Sequence, residues 1–68
     1  MKIECRVGSL PVGSFVWLES IYYRVIRQAC FSTMLEAGYD AFGDKFFDGG
    51  VCSVKPMQVV TLVIRVKQ

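Results

Sequence analysis

Histidine is absent from this 68-residue sequence. The chain therefore lacks the commonest general base and the commonest zinc ligand that proteins use near neutral pH. Its three cysteines are far apart and form no Cys-x-x-Cys pair, so a structural zinc site is not predicted. Glycine-rich nucleotide-binding motifs and the serine-nucleophile elbow are missing as well. We therefore expect a protein that is not an enzyme and that needs neither a cofactor nor a metal.

Long hydrophobic runs are also missing. The longest uncharged apolar stretch, residues 57–64, is far shorter than the roughly 20 residues of a membrane-spanning helix. The first residues alternate charged and apolar side chains and lack the apolar centre of a secretory signal. An odd number of cysteines would leave one thiol unpaired in a secreted protein. These features predict a cytoplasmic protein without membrane association. Its cysteines are predicted to be reduced and buried as small apolar side chains, and the alternative is a reactive or regulatory thiol.

Neither sign of charge dominates the chain, since eight basic and six acidic residues give a net charge of only +2. This balance excludes a densely acidic DNA mimic and does not by itself predict nucleic-acid binding. Apolar residues, in contrast, make up 53% of the chain, including five phenylalanines, three tyrosines and one tryptophan. A chain of this length buries only about 60% of the surface that it exposes when unfolded. We therefore expect one domain, residues 1–68, with apolar surface left for a partner.

The alternation of apolar and polar side chains predicts an all-β fold. Strands are predicted at residues 2–7, 14–19, 22–28, 51–54 and 59–67. A further strand is predicted at residues 29–36, although the composition there is also compatible with a short helix. Turns are predicted at residues 8–13 and 20–21, and a tight 3₁₀ turn at 56–58. The turn at 20–21 is predicted to join residues 15–19 and 22–26 as a hairpin. Residues 37–50, which contain four glycines, are predicted to be irregular.

The two terminal strands are predicted to pair antiparallel and to close five or six strands into a small barrel. A register that keeps the apolar faces together places Cys5 beside Ile64. On the outer face the same register sets Glu4 opposite Arg65 as a weak cross-strand ion pair.

Three segments together resemble the small SH3-like β-barrel proteins that phages and other mobile elements carry. They are the Leu-Pro-Val-Gly-Ser-Phe run at residues 10–15, the Tyr-Tyr-Arg-Val-Ile run at 22–26 and the Val-x-x-Val-x-Pro run at 51–56. The resemblance implies an SH3-like antiparallel barrel with one short 3₁₀ or helical turn. It also implies a viral accessory protein that binds and inhibits a host protein, for example a defence-system component. The chain departs from the family in its longer, more aromatic segment at 37–50 and in its extended last strand.

Aromatic residues of the glycine-rich segment are the first candidate for binding. Aromatic side chains in a loop either cap the core or anchor an interface. Two of them are adjacent, and neighbours in an extended segment point to opposite sides, so one small barrel buries both only with difficulty. We predict a partner-binding surface formed by Tyr39, Phe42, Phe46 and Phe47.

A second candidate surface would bind nucleic acid. Basic residues interleaved with aromatic residues can hold phosphates and stack bases. The candidate residues are Trp17, Tyr22, Arg24 and Arg27. On a regular strand, however, Arg24 and Arg27 face opposite ways because they are an odd number of positions apart.

A third candidate is the outer face of the last strand, where Val59, Thr61 and Val63 form an apolar strip. Adjacent strands cover this strip, or it pairs with a second copy or with a partner strand. The leading hypothesis is a module that binds a host protein. The alternatives are a nucleic-acid-binding barrel and an oligomer that sequesters a small nucleotide ligand between its subunits.

Overall fold

The fold is a single antiparallel β-sheet, described for residues 2–64 in a computed structural model. Its elements are β1 (Lys2–Arg6), the 3₁₀ helix η1 (Val7–Ser9), β2 (Phe15–Leu18), β3 (Ile21–Gln28), β4 (Thr33–Tyr39), β5 (Val51–Val54) and β6 (Val59–Val63). The strand order is β1-β6-β2-β3-β4-β5. The all-β prediction is confirmed. Within residues 2–64, β1 and β5 are the edges of an open sheet, and no helix is long and apolar enough to span a membrane.

A tight hairpin joins β2 to β3, as the sequence predicts. Glu19 and Ser20 form its two-residue turn with φ of 51° and 68°. Both values are left-handed, which matches the turn type whose twist suits two paired strands. The turn therefore lies at residues 19–20 rather than at 20–21, because Ile21 already pairs with Leu18.

The segment predicted at residues 29–36 is a strand and not a helix, but its bounds differ from the prediction. The Ala29 N–H donates to the Ser32 carbonyl at 2.9 Å, so residues 29–32 form the turn between β3 and β4. At its other end β4 continues to Tyr39, into the segment predicted to be irregular. The tight turn predicted at 56–58 is present, since the Gln58 N–H donates to the Lys55 carbonyl at 2.9 Å. The 3₁₀ helix itself lies at Val7–Ser9.

Two bulges in the β3–β4 pair change which side chains share a face. Arg24 pairs with Glu36 and Arg27 with Met34, so the extra residue between them is Ile26. Residues directly opposite each other lie on one face, and Glu36 and Met34 are two positions apart on β4. Arg24 and Arg27 therefore share a face, contrary to the prediction for a regular strand, because a bulge resets the alternation.

The terminal strands pair antiparallel, as predicted, but in a different register. Glu4 lies opposite Thr61 rather than Arg65, and Cys5 lies opposite Val60. Arg65, and with it the predicted ion pair, lies outside the described residues. The observed register differs from the predicted one by an even number of residues. The apolar side chains of β1 therefore still lie on the same face as those of β6. The register follows from the Val7 N–H, which donates to the Gln58 carbonyl at 2.9 Å and fixes the end of β1 beside the start of β6.

Small aliphatic side chains form the core. The fully or almost fully buried members are Val7, Val16, Val25, Leu35 and Val60. Thr33 is buried with them, and its hydroxyl donates to the side chain of Gln28. The Gln28 amide in turn donates to the Val7 and Leu10 carbonyls. This polar link ties the segment around η1 to the β3–β4 hairpin.

All three cysteines are free thiols. The prediction that they are buried is wrong for Cys30 and Cys52, which are exposed, whereas Cys5 is half-buried. Cys30 is exposed because it lies in the β3–β4 turn. Cys52 is exposed because β5 is an edge strand with a neighbour on one side only.

Candidate functional site

The outer face of the sheet carries an aromatic cluster around Arg24. Phe15 is only 6% exposed and stacks on Tyr22, with ring centroids 5.3 Å apart and planes inclined by 9°. Tyr39 meets the same phenylalanine edge-on at 6.1 Å. Tyr39 reaches this face because a bulge at Gly38 sets it opposite Tyr22. Phe15, Tyr22, Arg24 and Tyr39 are called the Arg24 cluster below.

The guanidinium of Arg24 holds two loops onto this face. It lies 5.0 Å from the ring centre of Tyr39 and 5.9 Å from that of Phe15. Its N–H groups donate to the Gly13 carbonyl at 3.2 Å, before β2, and to the Gly43 carbonyl at 3.4 Å, after β4. Through cation–π contacts and hydrogen bonds, Arg24 thus connects two segments that lie far apart in the sequence.

The four residues predicted to bind nucleic acid lie on one face. Trp17 is half-buried and pairs across the hairpin with Tyr22, whose ring already stacks on Phe15. Arg24 is engaged within the protein, and Arg27 is exposed. Of the two arginines, Arg27 is the more accessible to a phosphate.

A charged pair fastens the segment after β4 to the sheet. Lys45 Nζ donates to Glu36 Oε2 at 2.7 Å, and the Tyr39 hydroxyl donates to Glu36 Oε1 at 2.7 Å. These two hydrogen bonds, the one from Lys45 first, lower the pKa of Glu36 below its usual range. The same contact raises the pKa of Lys45.

Backbone hydrogen bonds fix the loop of residues 40–50 against β4. The Phe46 and Phe47 N–H groups donate to the Gly38 carbonyl at 2.9 Å and 3.4 Å, and the Ala37 N–H donates to the Gly50 carbonyl at 3.0 Å. Gly38 has φ of 103°, and a Cβ there would overlap the Phe47 carbonyl oxygen. Glycine is therefore required where the loop meets the strand.

An aspartate side chain orders the first half of this loop. Asp40 Oδ1 accepts hydrogen bonds from the Phe42 N–H at 2.9 Å and from the Asp44 N–H at 3.0 Å. Asp48 Oδ1 accepts one from the Gly50 N–H at 3.3 Å. The aspartates thus serve as turn residues. Among residues 2–64, no group of three or more acidic, cysteine or histidine side chains is placed to hold a metal ion.

Phenylalanines of the fixed loop point into solvent. Phe42 is 71% exposed, Phe46 62% and Phe47 53%. The Phe46 and Phe47 rings meet edge-to-face with centroids 4.5 Å apart, because the chain bends at Phe47 and brings neighbouring rings to one side. These three residues are called the aromatic loop. Tyr39, the fourth residue predicted for this surface, belongs to the Arg24 cluster.

An open, mainly apolar cleft separates the aromatic loop from the β2–β3 turn. Its volume is about 390 Å³, within the range of small binding sites. Phe46 and Phe47 form one wall, and Ile21, Tyr22 and Tyr39 are among the residues opposite. The cleft therefore lies where the buried and the exposed aromatic groups meet.

Phe31 is an exposed aromatic residue that the sequence reasoning missed. It is 91% exposed in the turn between β3 and β4. The prediction placed it inside a strand, where alternation would give it a packed neighbour. A local signal could have revealed the exposure of Phe31. The segments before and after residues 29–32 both alternate, so a turn is needed there to join them.

The apolar strip of β6 keeps its side chains on the outer face. Val59 is exposed, whereas Thr61 and Val63 are half-buried. β1 pairs along the whole strand on one side, and β2 pairs with Thr61 and Leu62 on the other. An association through this strip would therefore use side chains rather than added strand hydrogen bonds.

Comparison of the chain with protein-family models, with curated proteins and with solved structures finds no match. The geometry of the chain's own side chains is therefore the basis for inferring its function. The most distinctive feature of that geometry is the exposed aromatic loop.

Proposed function

We propose that this chain is a non-catalytic protein-binding module whose aromatic loop is the contact surface. One observation carries the proposal: phenylalanines that are more than half exposed stand on a loop whose backbone is held by hydrogen bonds. A surface that is ordered before binding loses less conformational entropy on association. Aromatic anchors next to a cleft are typical of the residues that dominate binding energy.

The charge of the loop favours a protein over a nucleic acid as the partner. Residues 40–50 contain the aspartates Asp40, Asp44 and Asp48 and only one basic residue, Lys45, which is paired with Glu36. Phosphates approaching these phenylalanines would meet unfavourable charge, whereas nucleic-acid sites gain affinity from unpaired basic side chains. The partner is therefore a protein with an apolar patch that accepts phenylalanine rings.

The wider biological role follows from the resemblance noted in the sequence. It supports a viral or mobile-element accessory protein that acts in the host cytoplasm by binding a host protein and blocking it. It also supports an SH3-like barrel. Consistent with a barrel, the Gly8 N–H donates to the Pro56 carbonyl at 2.9 Å, which brings the chain just after β1 close to the chain just after β5.

The test is a pull-down from host-cell lysate with the tagged chain, with and without nuclease. Phe46→Ala combined with Phe47→Ala should abolish capture of the partner while leaving the melting temperature almost unchanged, because both rings are exposed. Phe31→Ala is the matched control, since it removes an exposed ring elsewhere and should retain the partner. Capture that survives the double substitution would contradict the proposal. Capture that is lost on nuclease treatment would instead favour the nucleic-acid alternative, with Trp17 and Arg27 as the residues to substitute next.

A further inference from the structure

The strand β5 is an open edge of the sheet along Val51–Val54, and the Gly8–Pro56 hydrogen bond lies just beyond its end. β4 lies on one side of it, and within residues 2–64 no strand lies on the other. Val51–Val54 carries no charge and no proline, and its pairing with β4 shows no register shift. The opposite edge, β1, exposes the charged side chains of Glu4 and Arg6, which discourage strand addition. The two edges therefore differ in their capacity to accept another strand.

Backbone groups of two β5 residues point away from the sheet. The Ala37 N–H donates to the Gly50 carbonyl, and hydrogen-bonded pairs in an antiparallel ladder alternate with non-bonded ones. Cys52 and Val54 therefore direct their N–H and C=O groups towards β4. Those of Val51 and Ser53 point outwards, and both residues are exposed. The edge thus offers donors and acceptors in the spacing that another strand would match.

We propose that β5 pairs antiparallel with β5 of a second copy of this chain across a two-fold axis. Val51 of each copy then lies opposite Ser53 of the other, and each of these pairs exchanges both N–H···O bonds. The two Cys52 residues face each other at the axis as a non-hydrogen-bonded pair, the position at which cross-strand side chains are closest. The paired strand Val51–Val54 contains no residue of the aromatic loop, so this inference extends beyond the proposed function and does not depend on it.

Charges at the two ends of β5 select a second copy and set its direction. Asp48 precedes the strand and Lys55 follows it, and both are exposed. In the antiparallel pairing Lys55 lies opposite Gly49 of the other copy, next to its Asp48. A parallel pairing would bring like charges together instead. Because the strand itself is neutral, the pairing opposes no charges of like sign along its length.

A proline substitution tests the edge. Ser53→Pro removes an outward donor and no hydrogen bond to β4, which is the position where an edge strand tolerates proline. Sedimentation equilibrium over a series of concentrations should show dimers for the wild-type chain of 7.7 kDa and for the matched control Ser53→Ala, but monomers for Ser53→Pro. Circular dichroism confirms that the proline variant is folded. A wild-type chain that stays monomeric up to NMR concentrations overturns the proposal, and so does a folded Ser53→Pro variant that still dimerises.

Disulfide trapping tests the register, and the chain that retains Cys52 keeps β5 unaltered. Cys5→Ser with Cys30→Ser leaves Cys52 as the only thiol, and Cys5→Ser with Cys52→Ser leaves Cys30, which is also exposed. Diamide oxidises two thiols to one disulfide and is itself reduced by the two protons and two electrons that they lose. The Cys52 chain should form covalent dimers about tenfold faster than the Cys30 chain, because association raises the effective concentration of its thiols. Equal rates would overturn the placement of Cys52 at the axis. If the Ser53→Pro variant no longer dimerises but still captures the partner, the proposed function is supported independently of the dimer.

Discussion

Two groups of aromatic side chains meet at one cleft and differ in solvent exposure: one is covered and the other is exposed. In the Arg24 cluster, Phe15 lies on the solvent side of the sheet and is nevertheless covered by Tyr22, Tyr39 and the guanidinium. In the aromatic loop, Phe46 and Phe47 contact each other and remain exposed. Both groups are held by contacts to β4, so a lack of anchoring does not explain the difference.

The loop is held by backbone hydrogen bonds and by polar side chains, namely Asp40 and the Glu36–Lys45 pair, whereas the cluster is held by its aromatic and guanidinium side chains. Hydrogen bonds to Gly38 and Asp40 hold the loop without any contribution from the phenylalanine rings. The rings of the Arg24 cluster, by contrast, are the contacts that cover that face. Loop side chains are therefore available for a partner at little cost to the fold, whereas cluster side chains are not.

The largest expected effect comes from removing a ring of the cluster. Phe15→Ala should destabilise the fold by about 3–5 kcal/mol, because it deletes a buried aromatic side chain and its stacking contacts. Phe46→Ala, the matched change in the aromatic loop, should alter stability by no more than about 0.5 kcal/mol. Urea unfolding followed by Trp17 fluorescence measures both. Similar losses of stability for the two variants would contradict the distinction between a buried cluster and an exposed loop.

The next effect comes from the glycine on which the loop is docked. Gly38→Ala should cost about 1–3 kcal/mol from backbone strain alone, and more from the overlap with the Phe47 carbonyl oxygen. Gly13→Ala is the control, since its φ of 98° imposes similar strain but nothing lies within 4 Å of the added Cβ. Amide hydrogen exchange of Phe46 and Phe47 should accelerate in the first variant only. Equal destabilisation by the two substitutions would contradict docking of the loop through Gly38.

The smallest effect is the pH dependence of the Glu36–Lys45 pair. Since the folded-state pKa of Glu36 is lowered, its contribution is present above its unfolded value of 4.5 and is lost as pH falls through the folded value. The raised pKa of Lys45 makes its contribution present below 10.5 and lost as pH rises through the folded value. Glu36→Gln should therefore flatten the decline in the free energy of unfolding below pH 4.5, and Lys45→Met should do the same. An unchanged acid profile in either variant would show that the pair does not fasten the loop.

Local signals in the sequence predicted much of the fold. Alternation and residue composition together predict six strands, although the composition of residues 29–36 is also compatible with a short helix. Alternation also distinguishes the face of β6 with buried Val60 and half-buried Leu62 from the Thr61 face. It failed where one extra residue changes the phase of a strand. Ile26 and Gly38 each interrupt the pairing, and these bulges bring Arg27 and Tyr39 to faces that simple alternation does not predict.

The candidate site was predicted only in part for a similar reason. Phe42, Phe46 and Phe47 were identified from their positions among glycines, and all three are exposed. Tyr39 was assigned to the same surface because it is close to them in sequence. Its place in the Arg24 cluster depends on Phe15, a residue of another strand. Residue type and local spacing contain no information about such a contact.

The strand content, the tight β2–β3 hairpin and the aromatic character of residues 37–50 follow from the order of residues alone. Each of these depends on neighbours within a few positions, where side-chain alternation and turn chemistry act. Three other features require the folded chain: the register of β1 with β6, the exposure of Cys52 on an edge strand, and the division between buried and exposed aromatic residues. These depend on which strands become neighbours, and that is set by packing and hydrogen bonds between segments far apart in the chain.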